Sequence, residues 1–442
     1  MEEMIDCLKR CAEQSAFVSD RFGRIGWQDY RSLYLSRGWD NVNWVIAASA
    51  MLDIDDRCVA ELAAELEPVL ANHRHRETGR IGNGLYQLLG GASGSAHPSV
   101  DEFAKTLICG AVKVGAERVA ELLLDWVRGG PLRYRLNILL QGVEIDGPLR
   151  LPEGVELWSL PRSSGELPAS LPFSMLTEKV SVVDFMGGAV VSFDCELEPA
   201  LYRPDDNEVS ESLPRNGNLL LASGRIPNFH ESYFCESLSL ACDGFIDWFL
   251  VWRDVGDLEA FGGARNWDSY RPPRHAPKTK VEQSDLEQAL KIHNARYARG
   301  EPREHIELAL RRWIKSKQSG TDEDKLIELR IALEALYEVK QRTGKGIAVA
   351  GRGAEHLAEC QERWQEIWDT LKRAYDDASG AVHGEELVHA VDDPGLISSA
   401  QGICRGGILK RLDESERPNW EDMIFRHQGV KRASEAKSDA SA

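Results

Sequence analysis

The spacing of apolar residues along this chain changes period twice, and that change constrains its fold more than any other feature. Up to about residue 130, apolar positions recur at three- and four-residue steps, the period of a helix with one buried face. Met4, Leu8 and Cys11 make one stripe, and Val59, Leu62, Leu66 and Leu70 a second. Leu107, Val112, Ala116, Val119, Leu123 and Trp126 line a third, which stops at Gly129-Gly130. From Leu132 the period is two. Leu132, Tyr134, Leu136, Ile138 and Leu140 alternate with Arg133, Arg135 and Asn137, which predicts a half-buried strand. Residues 155–160 (VELWSL) read as another strand, and 179–196 as a hairpin turning at Gly187-Gly188. Leu219, Leu220 and Leu221 are placed to close the sheet. Helical spacing returns at Phe234, where Leu238, Phe245, Trp248, Phe249 and Trp252 predict an aromatic helix face.

A single core does not organise 442 residues. The expected architecture is multidomain and mainly α. It has a helical N-terminal region (1–130), a central β-rich domain (131–230), a helix with a Pro/basic linker (231–282), a C-terminal helical bundle (283–425) and a disordered tail (426–442). The linker segment NWDSYRPPRHAPKTK holds Trp267 and Tyr270 among basic residues. Such aromatics can stack on single-stranded RNA, although a proline-stiffened spacer is the simpler reading. His73-Arg74-His75-Arg76 falls between helices and reads as a solvated loop or a phosphate contact.

Charge narrows the function. The net charge is −18, so the whole chain is not a general polyanion binder, and any RNA contact needs a local basic patch. No apolar run is long enough to span a membrane, and the acidic start MEEMIDCLKR lacks the pattern of a secretory signal, so a cytoplasmic location is expected. The nine cysteines are scattered. Cys7 and Cys11 are one helical turn apart, and Cys235 and Cys242 are seven apart, without a second pair at metal-ligand spacing. They read as buried free thiols, with no metal and no cofactor expected. The TGKG stretch at 343–346 lacks the upstream Gly and the following Ser or Thr of a phosphate loop.

Three segments near the C-terminus occur in a telling order. They are IELALRRWIKSKQSGTDEDKLIELRIALEALY (306–337), GIAVAGRGAEHLAE (346–359) and LKRAYDDASGAVHGE (371–385). Together they resemble an Apea-like HEPN domain over about residues 283–425. The family signature runs roughly Tyr-Asp-x-Arg-Ser-x-x-Val-His-Gly. Here Tyr375, Asp376, Asp377, Ala378, Ser379, Gly380, Ala381, Val382, His383 and Gly384 stand in its place, with Ala378 at the position of the family's Arg. The resemblance implies a helical bundle that dimerises so that two signature helices face one cleft. It implies a metal-independent endoribonuclease, with RNA as substrate or ligand. It also implies a toxin effector of antiviral defence, with residues 1–282 sensing a phage or host trigger. In that chemistry a ribose 2′-hydroxyl attacks the adjacent phosphate. His383 would move protons, and an Arg would hold the developing charge. Losing one such donor costs about 3–4 kcal/mol, roughly a hundredfold to a thousandfold in rate, so activity of this chain is expected to be impaired.

The residues around the signature allow a reading of their own. Trp364, Ile367, Leu371, Ala374 or Tyr375, Ala378 and Val382 form a buried helical stripe, and Ala378 suits it. Lys372, Asp376, Ser379 and His383 share a neighbouring polar face, where Ser379 can bond the imidazole and Asp376 can orient it. The other reading of His383 is a helix C-cap, because Gly384 follows it. Arg373, Arg352 and Arg330 are candidate replacement cations or ordinary salt-bridge partners, and Glu334 is a candidate support. Arg311, Arg312, Lys315 and Lys317 form the densest basic cluster, either an RNA guide or a solvated helix end. The expected function is the nuclease effector or its inactive form, and the alternatives are a non-catalytic RNA-binding module and a protein-interaction adaptor.

Overall fold

A computed structural model describes residues 2–19, 23–25, 52–73, 99–130, 132–152, 154–161, 187–197, 219–221, 224–226, 231–254, 267–270, 278–297, 303–414, 416 and 418–420. It is mainly helical with a smaller β part. The chain divides into two compact units. One comprises Met1–Gln141, Ile145–Glu231 and Trp248–Pro273, and the other Gly142–Glu144, Ser232–Asp247 and Arg274–Ala442.

In the first unit, helices α1 (Glu2–Gln14), α2 (Asp56–Leu70), α3 (Val100–Val114) and α4 (Ala116–Val127) close around one core. Met4, Leu8 and Cys11 meet Leu62, Leu66, Leu70, Leu107, Val119, Leu123 and Trp126 there. Each fully buried Leu or Val contributes about 1.5–3 kcal/mol, so the predicted stripes hold this bundle together. The third stripe is two helices rather than one. Gly115 takes φ +94, which side-chain-bearing residues avoid, and its N–H bonds the Ala111 carbonyl at 3.0 Å. Ser99 opens α3 with a capping box: its Oγ accepts the Glu102 N–H, and Glu102 accepts the Ser99 N–H. A small sheet of Gly23–Ile25, Ala16–Ser19 and Leu52–Asp53 also lies in this region, which was expected to be mostly helical. His73 is buried rather than solvated, and Arg74–Arg76 lie outside the described residues.

The larger sheet has six strands in the order Trp267–Tyr270, Asp247–Asp254, Leu132–Gln141, Ala189–Leu197, Val155–Ser159 and Leu149–Arg150. Polar and apolar pairs alternate as expected, but the strand is not half-buried, since Leu136 to Leu140 are all buried. Arg135 faces Asp194 and Asn137 faces Ser192, while Leu136 faces Phe193 and Ile138 faces Val191. Even the polar face is covered near its middle, where Ser192 bonds Asn137 at 2.6 Å and Trp158 bonds Ser192 at 2.7 Å. Leu219–Leu221 do not close this sheet; they pair with Gly224–Ile226 in a separate hairpin. The first arm of the predicted 179–196 hairpin lies outside the described residues.

Residues 247–254 require a larger correction. Helix α5 (Glu231–Cys242) ends before them, because Asp243 adopts φ +55 and Gly244 sits where a Cβ would come within 2.3 Å of the Thr279 hydroxyl. Trp248, Phe249 and Trp252 then lie on a strand, not on a helix face. All residues from Trp248 to Trp252 are buried, so both faces are apolar and three-residue spacing carries no information. Trp267–Tyr270, read as linker, form the edge strand beside it, and Thr279–Lys280 pair in parallel with Val143–Glu144.

The second unit packs α5 with α6 (Gln283–Tyr297), α7 (Glu304–Gln318), α8 (Asp322–Leu336), α9 (Lys345–Leu357), α10 (Gln361–Val382), the single turn α11 (His389–Asp392) and α12 (Leu396–Asp413). Leu310, Trp313, Leu329, Leu333, Tyr337, Val349, Leu371 and Ile408 lie in its core. Helices α9 and α10 approach closely because α9 carries glycine at the contact. A Cβ at Gly346 would lie 2.8 Å from Tyr375, and one at Gly353 2.4 Å from Leu371. Fully buried Arg296 on α6 pairs with Glu236 of α5 and Glu307 of α7, fastening three helices. Helix ends in this unit share a device in which a distant cation donates to the last carbonyls. Arg405 serves α5 (Leu240 and Ala241 carbonyls), Arg352 serves α8 (Tyr337 carbonyl, 2.7 Å), and Lys410 serves α9 (His356 carbonyl, 2.5 Å). Among the described residues no helix is long and apolar enough to cross a membrane.

Candidate functional site

Helix α10 carries the segment singled out from the sequence. Ile367, Leu371, Ala374, Tyr375 and Ala378 form its buried face, and Ala378 is 0% exposed. The stripe stops there. Val382, expected to continue it, is 54% exposed, because the last turn of α10 carries it out into solvent.

His383 caps this helix and is exposed. Its N–H bonds the Gly380 carbonyl at 2.8 Å. The Gly384 N–H bonds the Ala381 carbonyl at 3.1 Å, and the Glu385 N–H bonds the Gly380 carbonyl at 3.0 Å. Gly384 takes φ +77. This is the Schellman arrangement, in which a glycine past the helix end turns the chain and satisfies the last carbonyls. The capping reading of His383 therefore holds at the level of the backbone. The predicted support for its ring does not form: neither Ser379 nor Asp376 bonds His383. Asp376 instead pairs with Lys372 at 2.6 Å, one turn earlier. Side chains on a helix lean towards its N-terminus, so Asp376 reaches back rather than forward.

Tyr375 belongs to a different cluster. Its hydroxyl donates to Glu334 Oε1 at 2.6 Å. Arg330 donates to the same oxygen at 2.9 Å and lies 4.8 Å from the centre of the Tyr375 ring. Lys345 donates to Glu334 Oε2 at 2.6 Å. Burial pushes the Glu334 carboxyl up, but the hydrogen bonds from Lys345, Tyr375 and Arg330 outweigh it and hold the group below its ordinary range. Burial, with the hydrogen bond to Glu334 next, pushes the Tyr375 hydroxyl well up. The cluster is a polar clamp joining α8, α9 and α10, and the support role expected of Glu334 is seen here.

The candidate replacement cations are engaged within the chain. Arg330 is bound to Glu334, Arg352 to the end of α8, and Arg373 to Asp393 at 3.2 Å. The basic quartet on α7 splits apart. Arg312 pairs with Glu328 at 2.9 Å, and Lys317 pairs with Asp243 at 2.9 Å while lying over Trp313. Arg311 and Lys315 stay exposed, one turn apart, so half of the predicted RNA-guiding cluster is neutralised.

Sequence reasoning missed Asp377. It is buried, and its carboxylate accepts the backbone N–H groups of Val388 (3.2 Å), His389 (3.1 Å) and Ala390 (2.7 Å). It thereby pins the chain that returns after His383 and starts α11. It stands among polar and charged neighbours, Arg373, Asp376 and Ser379, so nothing local in the sequence marked it. Among the described residues no group of three or more His, Cys, Asp or Glu is placed to hold a metal ion. Cys7 and Cys11, 3.8 Å apart at sulfur, are buried free thiols, and burial raises both.

Among the described residues the arrangement offers an exposed imidazole with neither an orienting hydrogen bond nor a cation bonded beside it. No protein-family model, no curated protein and no solved structure matches this chain.

Proposed function

We propose that the C-terminal unit is a HEPN-type module of endoribonuclease ancestry that now works as a non-catalytic binding module, with the upstream residues supplying recognition. One observation carries this reading: the residue at the signature's cation position, Ala378, is fully buried in the bundle. A core position of this kind binds neighbouring helices and not phosphate. The net charge of −18 points the same way. A second reading, the toxin-like nuclease of antiviral defence, is favoured by the exposure of His383 alone. It requires a second copy to supply the cation to a shared cleft.

The two readings part in one assay. The full chain and its His383→Ala variant are incubated with total RNA in excess EDTA, and the fragment ends are read. The binding-module reading expects no cleavage by either protein. Cleavage that leaves cyclic-phosphate ends and disappears in His383→Ala would establish the nuclease instead.

A further inference from the structure

We infer that the ledge at residues 382–393 is a docking surface for a protein segment that presents lysine or arginine beside aliphatic side chains. The inference rests on the binding-module reading and names the chemistry of the partner. The described residues hold five exposed large hydrophobic side chains: Leu308, Ile347, Val382, Val388 and Val391. Three of them fall within this short segment, with Val388 at 60% and Val391 at 72% exposure. Single exposed valines are ordinary, whereas adjoining ones mark an interaction surface, and Val388 and Val391 stand three residues apart on the α11 turn. Val388, Val391 and Asp392 are spaced to share one side of the α11 turn.

The acidic rim selects the partner. Glu385, Glu386 and Asp392 are exposed, and Asp393 is partly exposed. Residues 382–393 contain no lysine or arginine, and among the described residues Arg373 is the one basic side chain bonded to this segment, through Asp393 at 3.2 Å and the His389 carbonyl at 3.5 Å. A nucleic acid would bring phosphates against these carboxylates. A second copy meeting the ledge across a two-fold axis would set the same carboxylates against each other. A basic, aliphatic segment meets both features with complementary charge and apolar area.

The ledge is also pre-formed. The Schellman turn fixes its start, the Asp377 carboxylate fixes residues 388–390, and Arg373 ties down its far end. A surface held this way loses little freedom on binding.

The test uses the full chain and a fluorescein-labelled synthetic peptide of alternating leucine and lysine pairs, read by anisotropy at physiological salt. Val388→Ser with Val391→Ser, and separately Glu385→Gln with Glu386→Gln, are each expected to weaken binding by about tenfold. Glu2→Gln with Glu3→Gln, exposed acids on α1, is expected to change it by less than about twofold. All these positions are exposed, so circular dichroism should be unchanged. The inference is overturned if the peptide does not bind, or if the α1 control weakens it as much as the ledge variants do. It is equally overturned if the valine variants alter the sedimentation of the chain, which makes a second copy the occupant, or if labelled poly-uridine competes for the ledge. Loss of the ledge without RNA cleavage leaves the binding-module reading standing, whereas His383-dependent cleavage removes that reading itself.

Discussion

Replacing Ala378 with arginine introduces the residue that the proposed HEPN resemblance calls for at this position, and the structure sets what that does to the bundle. Ala378 is fully buried, one turn beyond Ala374 and Tyr375 on the face that packs against the neighbouring helices. Helix propensity changes little, because arginine is nearly as good a helix former as alanine. Forcing a long side chain into a packed site costs about 1–3 kcal/mol. An unpaired guanidinium adds a desolvation cost of several kcal/mol, which snorkelling towards the end of α10 partly relieves. The sum is about 3–5 kcal/mol. At about 2–4 °C per kcal/mol for a unit of this size, the melting temperature of Ala378→Arg should fall by about 6–20 °C. Ala378→Met carries the volume without the charge and should lose about half as much. Thermal unfolding of the full chain, followed by tryptophan fluorescence at neutral pH, reads both values, and RNA cleavage in EDTA is measured on the same samples below the transition. An Ala378→Arg protein that melts like the parent and cuts RNA in a His383-dependent manner would refute the reasoning. Position 378 would then open on solvent, and the proposed loss of catalysis would be a single-residue matter.

Two other perturbations test the surroundings. Asp377→Ala strips the acceptor from three N–H groups. Solvent can rescue some of them, so the local loss should be about 2–3 kcal/mol, seen as hydrogen exchange at Val388, His389 and Ala390 that is about 30 to 160 times faster; unchanged exchange would show that the ledge is held by other contacts. Glu334→Gln tests the clamp through pH. The folded carboxyl lies below its ordinary value of 4.5, so its stabilisation is present above that pH and is lost as pH falls through the lower, folded value. The variant should be less stable by about 1–3 kcal/mol at neutral pH, with a shallower loss below about pH 4.5, and parallel acid-unfolding curves for the two proteins would count against the clamp.

Much of this molecule is legible in its sequence, for a local reason. Side-chain direction repeats every 3.6 residues on a helix and every two on a strand, so Leu62, Leu66 and Leu70, or Leu136 and Ile138, announce their buried face without reference to the rest of the chain. The Gly384 cap is local in the same sense, since the turn it makes involves only Gly380 to Glu385. Where both faces of an element are covered, as at Trp248–Trp252, the pattern is uniform and the helix reading failed. The break within Leu107–Trp126 depended on one glycine with positive φ, which no apolar spacing announces.

The candidate site divides along the same line. His383, Tyr375 and Ala378 could be singled out from their neighbours in the chain, as could the competition between a capping and a catalytic reading. Which cation is engaged was not readable there. Arg312 meets Glu328, Lys345 meets Glu334 and Arg373 meets Asp393 because helices distant in the chain are set side by side. Asp377 became a structural acceptor only because the chain folds back over α10 after Gly384. The sequence by itself determined the helices of the C-terminal unit, the strands at 132–141 and 155–159, most of their buried faces and the cap at Gly384, since these depend on contacts within a few residues. The tertiary structure alone decided which charges are neutralised, which valines stay exposed and how deeply Ala378 is buried, since these depend on what the rest of the chain brings against each face.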